Sequence, residues 1–120
     1  MPARQHRITR GEDYRRTVRT GRRVGGAYCI THAVFSTQGS PARFGFIISK
    51  AVGNAVTRNL IRRRLKTIAE RRINQGAAGV DIVFRAFPQI VDASFEELEA
   101  EVNRALDRAE RHRPSEVPEP

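Results

Sequence analysis

Between Asn54 and Ile73 a helical apolar repeat runs through the most basic segment of the chain, and few folds can hold such a segment. At 100° per residue Ile61, Leu65, Ile68 and Ala69 fall within one arc. Asn59, Arg62, Arg63, Lys66 and Glu70 fall on the opposite side, spaced i, i+3, i+4, i+7 and i+11. The apolar arc has to bury against a sheet or another helix, and the basic stripe has to stay outside. Asn54, preceded by Gly53, is the expected N-cap. A helix from Ala55 to Ile73 would be about 28 Å long at ~1.5 Å rise per residue, so its stripe can follow several successive phosphates.

Like-charged neighbours one turn apart, Arg58 with Arg62 and Arg62 with Lys66, each cost roughly 0.2–0.5 kcal/mol in an isolated helix. A helix selected for packing alone would intersperse acids there. Residues 51–72 instead hold six arginines and one lysine beside Glu70. The bland reading of a charge run is a solvated face; the lack of compensating acid favours contact with a polyanion. Asn59 has three readings, a hydrogen bond to a base edge, one to a phosphate, or a tie for the loop before the helix.

The rest of the chain supplies the surface for that helix. "GEDYRRTVRTG" reads as a short helix with Glu12 and Asp13 near its start, Tyr14 and Val18 on one face, and Gly21 as the stop. "RRVGG" reads as a loop. "AYCITHAVFS" alternates Tyr28, Ile30, His32 and Val34 against Cys29, Thr31, Ala33 and Phe35, the period of a strand. After the turn "TQGSPA", the strand "RFGFIIS" puts Phe44, Phe46 and Ile48 on one side. Beyond the basic helix, "NQGAAG" breaks the chain and "VDIVFRAF" is a further strand, stopped by Pro88. Ser94 and Glu97 have capping-box spacing, and Phe95, Leu98, Val102, Leu106 and Ala109 recur behind them at helical period, with Glu97, Glu101 and Arg104 outward. "RPSEVPEP" ends the chain as a Pro-rich tail.

The predicted class is α+β: a single domain over residues 1–113 with a flexible tail at 114–120, in the order helix, two or more strands, basic helix, strand, helix. One mixed sheet carries helices mainly on one face, and the strands around the basic helix pair parallel through it as a crossover.

Charge divides along this order. Net charge is +6 over residues 1–25, zero over 26–40, +8 over 41–75 and −5 over 76–120, giving +9 for the 120 residues. The polyanion-facing part is the first two-thirds, and basic partners are excluded. Cys29 is the only cysteine, so there is neither an internal disulfide nor a thiol pair for zinc. No run approaches 18 apolar residues and the N-terminus has no apolar signal stretch, which predicts a cytoplasmic protein with no membrane partner.

A self-sufficient catalytic centre is not legible. Metal-dependent nucleases cluster carboxylates around their cations, whereas Asp81 and Asp92 are isolated in sequence and most other acids lie on the final helix. His6, His32 and His112 have no metal-ligand spacing. On pattern alone Tyr14 and Val18 read as core in preference to base-stacking, and His32 as a satisfied structural histidine. Lys50, at a strand end, is either a phosphate ligand or solvated. Arg85, a charge inside an apolar strand, is the anomaly, since a buried charge demands a partner.

"SKAVGNAVTRNLIRRRLK", Ser49 to Lys66, closely resembles the signature of the bacterial ribonuclease P protein subunit, matching at Ser49, Lys50, Val52, Gly53, Ala55, Val56, Arg58, Asn59, Arg63 and Leu65. "EDYRRTVRTG" looks like that family's first helix and "VDIVFRAF" like its last strand, with Arg85 slightly displaced. Ala51 and Leu60 stand where the family usually has cations.

The resemblance implies a ribonucleoprotein that removes the 5′ leader of precursor tRNA, with the catalytic Mg2+ held mainly by an RNA subunit and no catalytic or metal-ligating residue on the protein. It implies that Lys50, Asn54, Arg58, Asn59, Arg62, Arg63 and Lys66 contact the RNA subunit, and that Tyr14, Val18 and His32 line a cleft for the single-stranded leader. It also implies a left-handed β-α-β crossover, where the general rule predicts a right-handed one. The partners would be the RNA subunit and precursor tRNA, not DNA. The alternative is a non-catalytic RNA-binding or ribosome-associated protein, which explains the charge but not the signature.

Overall fold

A computed structural model describes residues 4–36 and 39–114; the first two residues of the "TQGSPA" turn and all but Pro114 of the expected tail lie outside the described residues. After a short 3-10 turn at Arg4–His6, the elements are α1 (Gly11–Thr20), β1 (Arg22–Gly25), β2 (Cys29–Phe35), β3 (Arg43–Ile47), α2 (Ala55–Asn74), β4 (Val80–Ala86), a 3-10 turn at Pro88–Asp92, and α3 (Phe95–Glu110).

Local chemistry accounts for the helix ends. The side chain of Asn54 accepts a hydrogen bond from Thr57 N at 2.9 Å, capping α2. Ser94 and Glu97 form the full capping box at the start of α3. α1 has no side-chain cap, but Glu12 and Asp13 sit in its first turn, where the helix dipole favours them.

The four strands form one mixed sheet in the order β1-β2-β4-β3. β2 pairs antiparallel with both β1 and β4, while β3 runs parallel to β4, from Arg43 opposite Asp81 to Ile47 opposite Arg85. α2 is therefore the connection between two adjacent parallel strands. β1 corrects the loop reading of "RRVGG": two arginines and two glycines carry little strand propensity, and only Val24 is buried. Backbone pairing with the edge of β2 makes this segment a strand.

The sheet has two unlike faces. On one, Cys29, Ala33, Phe44, Val80, Ile82, Phe84 and Ala86 pack with Ile61, Leu65 and Ile68 of α2 and Leu98, Val102 and Leu106 of α3. The Phe84 ring centroid lies 6.0 Å from those of both Phe44 and Phe46. Burying each such large side chain contributes about 1.5–3 kcal/mol. Arg113 closes this core at the C-terminal end, donating to the carbonyls of Gly79 and Ala78 and lying over the Phe35 ring at 4.6 Å.

α1 is the exception to the two-helix layer and packs on the opposite face, against β2 and β4. Its anchor is Asp81, buried at 7% exposure, which accepts from Arg16 at 2.9 Å and from Arg43 Nε and Nη2 at 2.9 and 2.6 Å. Asp13 adds weaker ion pairs to the same two arginines. The aspartates scattered in sequence thus become a strut between helix and sheet.

Glu101 also departs from the outward, solvated placement expected of it. Its carboxylate accepts from the backbone N–H groups of Ala27, Tyr28 and Cys29 at 2.7, 2.9 and 3.3 Å, pinning the β1-β2 connection to α3.

Candidate nucleic-acid interface

On α2 the helical phase holds. Asn59 and Arg63 are exposed, Arg62 and Lys66 half-buried, and Ile61, Leu65, Ile68 and Ala69 fill the core beneath them. Asn59 Oδ1 accepts from Arg62 Nη1 at 3.0 Å, so the asparagine orients the neighbouring guanidinium rather than the preceding loop. Arg58 is half-buried, and its Nε has no hydrogen-bond partner among the described residues. Lys50 is exposed just beyond β3, while the side-chain Oδ1 of Asn54 is committed to the cap.

The stripe continues outside the helix. Ile8 N donates to Phe44 O at 3.0 Å, which lays the N-terminal segment along β3 and brings Arg7 close to Lys66. Burial first, then Arg62 and Arg7, pushes the Lys66 ammonium below its ordinary pKa. Arg7 was not visible as part of this site, because its neighbours are decided by a tertiary bridge. Three further arginines of α2 face away from the stripe: Arg64 donates to Ala93 O, Arg71 pairs with Glu99 and Arg72 with Asp107. At the N-terminal half of α2, Val56 and Leu60 are 78% and 42% exposed, so the helix offers an apolar flank beside its cations.

The second part of the site lies between α1 and the free sheet face. Tyr14, Arg15, Val18, Arg19 and Ile47 line a groove of about 310 Å³. Tyr14 is placed by Gly45, over which its ring sits, and its hydroxyl accepts from Phe46 N at 3.3 Å. Tyr14 and Val18 are half-buried groove walls instead of core; the buried face of α1 is Thr17.

His32 corrects the reading of a satisfied histidine. It is 5% exposed, and neither ring nitrogen has a hydrogen-bond partner among the described residues. Burial, then Arg23 and Arg85, pushes its pKa below the ordinary histidine value and favours the neutral ring. It lies on the groove's side of the sheet, directly across from Arg23 and Val83, but it is not among the groove-lining side chains.

Arg85 is exposed, so the expectation of a buried charge fails: strand alternation carries it out on the α1 side, opposite Ile30 and Ile47. Arg15, Arg19, Arg23 and Arg85 together make the cleft face cationic. Only strand register could have revealed that set.

Among the described residues no three His, Cys, Asp or Glu side chains form a group that could hold a metal ion. Asp13 and Asp81, between α1 and the sheet, are occupied by Arg16 and Arg43.

The Ribonuclease P family model matches residues 1–110. The chain belongs to the ribonuclease P protein family. A ribonuclease P protein component of Clavibacter michiganensis is 44% identical over 111 residues, covering 92% of this chain and 98% of that one. One from Corynebacterium diphtheriae is 40% identical over 116 residues, covering 91% and 97%. Among solved structures, the Staphylococcus aureus RNase P protein superposes with a TM-score of 0.78 at 23% identity, over 87% of this chain and 94% of that one. The Thermotoga maritima RNase P protein gives 0.74 at 20% identity, over 85% and 96%. At these identities the two structures speak for the ribonuclease P protein fold, and the sequence relatives carry the family.

Proposed function

We propose that the chain serves as the protein component of a ribonuclease P ribonucleoprotein, an endoribonuclease that removes the 5′ leader of precursor tRNA. The observation that carries the reading is the outward-facing α2 stripe of Asn59, Arg62, Arg63 and Lys66, extended by Arg7, in a chain of the ribonuclease P family. In this reading the stripe, with Lys50 and Arg58, lies on the phosphates of the RNA subunit. The α1 groove takes the single-stranded leader: Tyr14 offers a ring edge or face to a base, Val18 an apolar wall, and Arg15, Arg19 and Arg85 a cationic rim. His32 supports this face from beneath.

The protein's work is binding and positioning. Magnesium ions supply phosphoryl polarisation when bound, and the reading assigns them to the RNA subunit. No helix among the described residues is long and apolar enough to cross a membrane.

The test is reconstitution with the cognate RNA subunit at low magnesium. The protein is expected to raise cleavage of precursor tRNA above that of the RNA alone; no improvement, or co-purification with ribosomal RNA only, would overturn the reading.

A further inference from the structure

Five of the six acids of α3 are held by partners other than the helix's own arginines, Glu96 being the exposed exception. Glu97 accepts from Ser94 N and Tyr28 Oη, Glu101 holds three backbone amides, Glu99 pairs with Arg71, Asp107 with Arg72 and Glu110 with Arg113. Arg104, Arg108 and Arg111, spaced i, i+4 and i+7, lie exposed on one flank, and among the described residues none has an ion-pair or hydrogen-bond partner. The segment that is acidic by composition therefore presents a cationic stripe without direct ion-pair partners, about 10 Å long at ~1.5 Å per residue. Helix-dipole complementarity accounts for a cation at the C-cap, Arg111, but not for Arg104, almost two turns earlier.

The fold sets this stripe apart from the first. α3 packs on β1, the edge strand, whose Arg22 is exposed and projects on the α3 side, opposite Ala33. The α2 stripe and Arg7 belong to β3, the other edge of the same sheet. Two basic rims thus sit at opposite edges, with the α1 cleft on the face between them. The α3 rim has Tyr28, half-buried with its hydroxyl donating to Glu97, and the exposed His112 as its ring side chains, and its row of charges is made of arginines alone. A row of guanidinium groups spaced along one helix flank suits the phosphates of a backbone.

We infer that Arg104, Arg108 and Arg111, with Arg22, form a second RNA-backbone site, separate from the α2 stripe, that takes a double-helical segment without reading its sequence. The protein then bridges two RNA segments across its sheet.

The test uses the full chain and a 16-base-pair RNA duplex of mixed sequence, with affinity followed against salt. Replacing Arg104, Arg108 and Arg111 together by Gln is expected to lower the slope of log K against log[salt] by about 2–3, near 0.9 per phosphate contact. The triple Lys variant should keep the slope, because charge and not packing is at work. The same loss is expected in the R58Q/R62Q background, since the two rims act independently. An unchanged slope in the Gln variant, or a loss that vanishes once α2 is altered, would overturn the inference. So would a loss confined to phosphatidylserine vesicles, which would give the rim to lipid.

Discussion

The ring of Tyr14 occupies the space where residue 45 would carry a Cβ: built on Gly45, that atom would lie 2.5 Å from Tyr14 Cε1. The groove therefore exists at its observed width because β3 has a glycine directly under α1. Gly45→Ala is expected to push α1 off the sheet at a cost of about 1–3 kcal/mol. Urea denaturation measures the stability, and leader affinity should fall in the same variant while binding to the RNA subunit alone holds.

Asp81 is the other half of that arrangement. Asp81→Asn removes the charge that Arg16 and Arg43 share. A fully buried pair would lose about 3–5 kcal/mol; with Arg16 half in solvent, about 1–3 kcal/mol is expected, read from the urea midpoint at constant m-value.

Salt dependence reports directly on the α2 stripe. Arg58→Gln with Arg62→Gln should flatten log K for RNA against log[salt] by about one unit per lost phosphate contact. Leu60→Arg, which restores a cation beside Arg63, should steepen it by about one. Identical slopes for all three proteins would mean that these side chains are only solvated.

His32 gives a pH signature. Its folded pKa is depressed by burial, Arg23 and Arg85, so the unfolded chain takes up the proton first. Its stabilising contribution is complete above the unfolded pKa of about 6.5 and is lost as pH falls below it towards the depressed folded value. Melting temperature should drop between pH 7 and 5 in the natural protein and drop less in His32→Gln. Parallel curves would show that the ring does not titrate differently on folding.

Cys29 should resist thiol reagents in the folded state. Burial, with Glu101 nearby, pushes its thiol up to about 12. Labelling with a maleimide at pH 7.5 is expected only after denaturant is added, and rapid labelling of the native protein would contradict the buried placement.

Periodicity and capping chemistry determined much of this protein in advance. The Ile61, Leu65 and Ile68 seam, the Asn54 cap, the Ser94 box and the alternation of β2 are local patterns that tertiary contacts reinforced. So the opposed cationic stripe of Asn59, Arg62, Arg63 and Lys66 was legible before any fold was known. What lies between distant segments was not. β1 is a strand because β2 offers it an edge, and Arg7 joins the stripe because residue 8 bonds to β3. Arg85 leaves the core because register turns it outward, and Glu101 serves backbone amides seventy residues away. Pairing partners and strand register depend on chain segments far apart in sequence, so the tertiary structure alone decided where the free charges stand.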